Sequence, residues 1–259
     1  MKLTKDNYFT KDNKYISNSK IKDWLKDKEF FYKKHIEKSI KEDISDALVI
    51  GSAVDMWLTE SKEKFEDTYL VVSRRNKKSD TPWRYQLPNS MYDKVVNLCE
   101  RVEKTDAYKE IVEDKYVSQE ILQLDLDLGY FSGVCGIPDW YSTQDDVIYI
   151  IDLKTSKTID PTRYHYHCID FGYYTQQAIY QILLGKKYNK DKFSSKHLVV
   201  EKDPDNINQV EIFQLNQDRI DAEKERVYEI LEELKNEKDF APKQATLKEP
   251  IEIGDYGII

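Results

Sequence analysis

Gly136-Ile-Pro-Asp-Trp-Tyr-Ser-Thr-Gln-Asp-Asp-Val-Ile-Tyr-Ile-Ile-Asp-Leu-Lys-Thr155 decides the fold. Two apolar runs flank a polar stretch from Ser142 to Asp146, the pattern of a β-hairpin. With Asp145 and Asp146 as the loop, antiparallel counting sets Asp139 directly opposite Asp152. Side chains alternate along a strand, so Asp152 and Lys154 share a face. The run Val147–Ile151 is apolar on both faces and belongs in a core. Two carboxylates and an ammonium at the end of such a strand need partners or a metal.

The chain has 259 residues, with 40% hydrophobic and 12% aromatic side chains, enough for a sizeable core. No linker-like run or internal repeat divides it, so it reads as one domain over 1–259. The parts are a helical region to about 114, a catalytic sheet with helices over about 115–238, and a tail at 239–259. That tail, with two prolines, is expected to pack irregularly or to serve oligomer contacts. The apolar runs are no longer than strands, and the first residues lack a signal peptide's apolar stretch. Cys99, Cys135 and Cys168 are odd in number and widely spaced, neither a disulfide framework nor a metal knot. The expected location is a reducing cytoplasm. A net charge of −8 argues against phosphate binding unless the negative charge lies off the contact face or divalent metal neutralises it.

Upstream, Lys20–His35 carries Ile21, Trp24, Leu25 and Phe31 at helical spacing, with Ser17 or Ser19 as the cap. A second helix is expected over Asp46–Glu60, with Asp46 as its cap. It is apolar nearly all round yet holds Asp55, one turn after Gly51, whose missing Cβ permits close approach of another backbone. Asp55 is either a hydrogen-bonded core residue or a metal ligand. Tyr69–Ser73 reads as a strand. After it, the stretch from Arg74 to Gln86 is a basic, aromatic loop, either phosphate-contacting or merely solvated. Helices then run from Pro88 to about Lys104 and on to about Asp114.

From Lys115 the pattern becomes strand-like. Tyr116–Leu124, Tyr130–Cys135 and the hairpin form three or four consecutive antiparallel strands, with Asp125–Gly129 as the first turn. Glu120 is either a peripheral ligand or an ordinary strand carboxylate. Asp160-Pro161 caps a helix bearing His165 and His167, which at that spacing point roughly 200° apart and form no bidentate site. The next helix sets Gln176 and Tyr180 at i and i+4 on one face. Leu198–Val200 and Val210–Phe213 are strands around a turn at Lys202–Asn208, and Asp218–Lys238 is a charged amphipathic helix.

In that order, Gly51-x-x-x-Asp55, Leu58-x-Glu60, Pro138-Asp139, Asp152-Leu-Lys154 and Gln176-x-x-x-Tyr180 resemble the PD-(D/E)xK nuclease superfamily. The resemblance is strongest to the branch holding the RecB nuclease domain, λ-type exonuclease and the phage or prophage RecE exonucleases. It spans about residues 45–185. It implies an α/β (α+β), restriction-endonuclease-like core: a central mixed sheet with helices on both sides and an N-terminal helical region. It further implies one or two Mg²⁺ or Mn²⁺ ions held by Asp55, Asp139, Asp152 and the Leu153 carbonyl. Lys154 would orient or deprotonate the attacking water, Gln176 and Tyr180 would position it, and Glu120 would support the metal or the scissile strand. Asp55 stands where the branch usually has His; its carboxylate is a harder ligand than imidazole and better matched to Mg²⁺. Relatives with an iron–sulfur cluster need four cysteines, which excludes that cofactor.

By the same resemblance the activity is resection of linear duplex DNA ends, 5′ to 3′, in a bacterial or phage-infected cytoplasm. It would feed a single-strand annealing recombinase and work as a homo-oligomeric ring, with no membrane partner. The competing readings are a site- or structure-specific endonuclease, a non-catalytic DNA-binding protein on the same core, and a non-nuclease enzyme or inhibitor of host defence.

Overall fold

The structure, a computed structural model, describes residues 2–10, 12–40, 44–114, 116–202 and 209–237. The Lys202–Asn208 turn and the 239–259 tail fall almost wholly outside the described residues. The strands are β1 (Tyr15–Ile16), β2 (Leu70–Val72), β3 (Gln86–Pro88), β4 (Val117–Ser118), β5 (Leu122–Leu128), β6 (Phe131–Gly136), β7 (Trp140–Gln144), β8 (Val147–Ser156), β9 (Lys192–Glu201) and β10 (Val210–Gln214). The helices are α1 (Lys5–Tyr8), α2 (Asn18–Lys26), α3 (Lys28–Phe31), α4 (Asp46–Asp55), α5 (Lys62–Thr68), α6 (Asn89–Glu103), α7 (Asp106–Glu113), α8 (Pro161–Asp170), α9 (Tyr173–Tyr188) and α10 (Gln217–Asn236).

The central sheet is mixed, in the order β10-β9-β8-β7-β4. β8 pairs antiparallel with β7 and parallel with β9, so both of its edges are bonded. The hairpin has the expected register: Gln144 faces Val147 across an Asp145-Asp146 loop, and Trp140 faces Ile151. Asp139 lies one residue before β7 and Asp152 one residue after Ile151, so the paired register ends just short of the two aspartates.

β8 is buried on both faces, which is why its apolar residues do not alternate with polar ones. Ile148 and Ile150 pack into one core with Ile179 and Leu184 of α9 and Val227 of α10. Ile151 and Leu153 pack into another with Val49 and Ala53 of α4 and Val95 and Leu98 of α6. Helices therefore cover both faces of a mixed sheet, as expected. Among the described residues no helix is long and apolar enough to cross a membrane.

Three local expectations give way. The single strand over Tyr116–Leu124 is two, β4 and β5, in different sheets. Gln119 between them adopts φ 51°, a left-handed conformation that ends one strand and re-aims the next. Asp125–Leu128 is strand rather than turn: Leu122, Leu124, Leu126 and Leu128 keep a period of two and face the core, and the reversal comes at Gly129, φ 69°. Consequently β5 and β6 form a separate small sheet with β1 instead of continuing the hairpin.

The Lys20–His35 helix is also broken. Asp27 leaves the helical region (φ −167°, ψ 115°) and its carboxylate accepts from the Phe30 N–H, capping a new helix. Leu25 accordingly lies exposed. At α4 the cap is Ser45, whose side chain accepts from the Leu48 N–H, one residue before the expected Asp46.

Candidate active site

The site forms where β8 ends between α4 and α9. Asp139 is held by the hairpin: its Oδ2 accepts from the Leu153 N–H at 2.7 Å and its Oδ1 accepts from the Gln119 amide at 3.0 Å. Asp55, at the C-terminal end of α4, stands within hydrogen-bonding reach of Asp139, a contact that forms when one of the two carboxyls holds a proton. Asp152 is 1% exposed, forms an ion pair with Lys154, and has no hydrogen-bond partner for Oδ1. At Gly51, where α4 passes β8, the atom nearest a Cβ is Thr155 Oγ1, at an ordinary 3.5 Å. Close backbone approach, the expected reason for this glycine, is absent.

Lys154 donates to Gln176 Oε1 at 3.0 Å and stands over the Tyr173 ring at 4.6 Å. Gln176 Nε2 donates to the Tyr180 hydroxyl at 2.8 Å, which donates to the Ile137 carbonyl at 2.7 Å. The i, i+4 pair on α9 is thus one relay from the ammonium to the backbone beside Pro138-Asp139. Gly136 makes room for it, since a Cβ there would lie 2.9 Å from Tyr180 Cε1.

The electrostatics of the three carboxyl groups run one way. Burial, then the charge of Asp152, raises Asp55 to about 6. Burial, then Asp152 and Asp55, raises Asp139 well above the usual carboxylate range, and burial raises Asp152. Burial pulls Lys154 down, but Asp152, Tyr173 and Asp139 outweigh it and hold the side chain as an ammonium.

Three crowded carboxyls with raised proton affinity are a site short of positive charge. Among the described residues, no three His, Cys, Asp or Glu side chains form a closed cage, and Asp152 is paired with Lys154. The orphaned Asp152 Oδ1 and an all-oxygen donor set nonetheless fit a hard divalent cation.

Asp55, Asp139, Asp152, Leu153, Lys154, Gln176 and Tyr180 therefore come together. Glu120 does not. It binds Lys187 at 2.6 Å and the Tyr141 hydroxyl; burial raises its pKa, but these partners lower it further. Lys187 stands about 16 Å along α9 from Gln176. His165 and His167 diverge to different partners, Tyr174 and Ser156.

Two site residues escaped the sequence reading. Gln119, Glu120's neighbour, supplies the donor to Asp139, and Tyr173 supplies the ring beneath Lys154. Tyr173 was findable, since Tyr173, Gln176 and Tyr180 fall at i, i+3 and i+7 on one helical face.

With that geometry in hand, the sequence matches the family described as a PDDEXK-like domain of unknown function (DUF3799) over residues 17–247. The chain belongs to this PDDEXK-like family. It is accordingly a member of the PD-(D/E)xK nuclease superfamily. The PDDEXK-like domain also shares its fold with a Eubacterium rectale protein named as a candidate exonuclease. Their TM-score is 0.64 at 18% identity, over 91% of this chain and 87% of that one. The structure of SSO0001 is 13% identical over 78% of this chain and 85% of that one, and its TM-score of 0.30 carries no argument. No curated protein matches the chain.

Proposed function

We propose that this PDDEXK-like domain is a divalent-metal-dependent deoxyribonuclease that degrades linear duplex DNA from its ends. The observation that carries the reading is the convergence of Asp55, Asp139 and Asp152 beside Lys154, with Asp152 Oδ1 buried and unpartnered. A Mg²⁺ or Mn²⁺ ion held by these carboxylates and the Leu153 carbonyl would supply Lewis acidity toward a phosphodiester and acidify bound water.

The chain's own residues do the rest. The Leu153 N–H and the Gln119 amide fix the orientation of the Asp139 carboxylate at the open end of the hairpin. Lys154, kept cationic and tethered by Gln176, donates a proton or a hydrogen bond where charge develops on the phosphate. Tyr180 braces Gln176 against the Ile137 carbonyl and sets which way its amide faces. Burial keeps competing water from screening these charges. A 5′-to-3′ polarity and hand-over to an annealing recombinase rest on the motif resemblance alone.

The test is digestion of linear and covalently closed circular duplexes in Mg²⁺, in Mn²⁺ and in chelator. The expected result is loss of the linear substrate only, with metal only, and no activity in Asp139→Ala, Asp152→Ala or Lys154→Ala proteins that keep wild-type circular dichroism. Cleavage of the closed circle would replace the exonuclease with an endonuclease. Undiminished cleavage by Lys154→Ala would end the catalytic assignment.

A further inference from the structure

The basic segment between β2 and β3 is not used by the site, and it is not a slack loop. From Ser73 to Tyr85 it holds five cations (Arg74, Arg75, Lys77, Lys78, Arg84) and one anion (Asp80), in a chain of net charge −8. Gln86, 1% exposed, clasps it from beneath. The Gln86 side-chain carbonyl accepts from the Asn76 N–H at 2.7 Å, and its amide donates to the Asn76 and Thr81 carbonyls at 2.8 and 2.7 Å.

Arg75 is consumed internally. Its guanidinium stacks 3.8 Å above Trp83, donates from Nε to the Gln86 carbonyl at 2.8 Å, and pairs with Asp46. The other four cations are exposed, and among the described residues none forms a salt bridge. A loop held in place through one arginine, with four unpaired cations turned outward, presents a local positive face on an acidic chain, which is what a polyanion would meet.

The loop's position names that polyanion. Arg75 is tied to Asp46 at one end of α4, and Asp55 lies at the other end, about 14 Å along the axis. On the same side, Tyr69 packs edge-on to Tyr85 at 5.6 Å. Its hydroxyl, raised to about 12 chiefly by burial, feels both the Asp55 carboxylate and the Arg84 guanidinium. The loop is therefore anchored to the same helix, α4, that delivers Asp55 to the carboxylate site.

We propose that the 73–85 loop is a backbone-binding rim for duplex DNA, seating phosphates beside the Asp55–Asp139–Asp152 site through Lys77, Lys78, Arg84 and Arg74. It rests on the nuclease reading only for the choice of DNA as the polyanion. Contacts of this kind are independent of base sequence and set affinity and register. The rim also answers the net-charge objection, because the contact face is positive while the whole chain is not.

The test is fluorescence anisotropy of a labelled linear duplex in chelator, from about 50 to 200 mM salt. Each phosphate contact contributes about −0.9 to the slope of log affinity against log salt. A Lys77→Ser/Lys78→Ser/Arg84→Ser protein is expected to lose about 2–3 from that slope and to bind at least tenfold more weakly at the low-salt end. The charge-conserving Lys77→Arg/Lys78→Arg/Arg84→Lys protein is expected to keep it.

Should the neutral triple variant fold poorly, Lys78→Ser and Arg84→Ser singly are expected to lower the slope by about 1 each. A neutral variant with the wild-type slope overturns the rim, as does a conserving variant that falls equally far or a wild-type protein that binds no duplex. Wild-type binding with the expected slope but no cleavage in any metal sinks the nuclease reading and leaves the rim. Cleavage with a slope indifferent to these substitutions does the reverse.

Discussion

Replacing Asp55 by Asn should stabilise the metal-free protein at neutral pH while damaging its activity. The reasoning starts from proton affinity. Asp55 goes from the ordinary aspartate value of 3.8 to about 6 in the fold, mainly through burial and the Asp152 charge. Because the folded value is the higher one, its contribution to stability is fully present below 3.8 and is lost as pH rises through about 6.

That rise in proton affinity corresponds to about 3 kcal/mol. Partial exposure of Asp55 to solvent screens some of that, leaving about 2 kcal/mol. Asn keeps the shape and a donor for Asp139 but carries no charge. In chelator at pH 7.5, Asp55→Asn should therefore melt higher than wild type by about 4–8 °C. At pH 4 to 4.5 the gap should shrink toward zero. Saturating Mg²⁺ should reverse the order, because only the wild type has the full donor set. Differential scanning calorimetry of both proteins across this matrix is the assay. A variant less stable than wild type in chelator at pH 7.5, or a gap that does not change with pH, would refute the account of the carboxylate cluster.

Two glycines should respond in opposite ways. Gly136→Ala puts a methyl group 2.9 Å from Tyr180 Cε1. It should cost about 1–3 kcal/mol by chemical denaturation. It should also lower the rate by dislodging the Tyr180–Gln176–Lys154 relay. Gly51→Ala meets only Thr155 Oγ1 at 3.5 Å and should raise stability by about 0.5–1 kcal/mol, as a helix interior favours alanine. Gln119→Ala removes the 3.0 Å bond to Asp139 Oδ1. It should weaken Mg²⁺ binding about tenfold in a calorimetric titration without abolishing it.

The hairpin and the site it carries were legible because several constraints coincide there. A two-residue loop allows one register, and the unbroken apolar run of Ile148, Ile150 and Ile151 demands burial on both faces. Once the strand is central, the positions of Asp139, Asp152 and Lys154 follow from counting. Asp160-Pro161 was legible for a similar reason, since the Asp160 side chain caps at Arg163 as cap chemistry requires.

The strand breaks were not legible, because the deciding groups are individually ordinary. Nothing local marks Gln119 for a left-handed backbone; its conformation is repaid by tertiary bonds, its amide to Asp139 Oδ1 and its N–H to the Asp139 carbonyl at 3.2 Å. At Asp125–Gly129, turn-forming residue types competed with a period-two leucine pattern, and burial of those leucines won.

The same asymmetry explains how Glu120 and Gln119 came to be exchanged. A carboxylate on a strand near two aspartates invites a ligand role by charge type, and an amide does not. Yet the site already holds three carboxyls whose proton affinity burial raises, with the Asp152 charge adding to it at Asp55 and Asp139, so a fourth would deepen the deficit of positive charge. What Asp139 lacks is a donor that fixes it without adding charge, which an amide provides. The left-handed turn at Gln119 accordingly delivers the amide to Asp139, and Glu120 goes to Lys187, where its charge is matched. Charge balance decides which of two adjacent residues enters the site, and it becomes visible only when all three carboxyls are placed together.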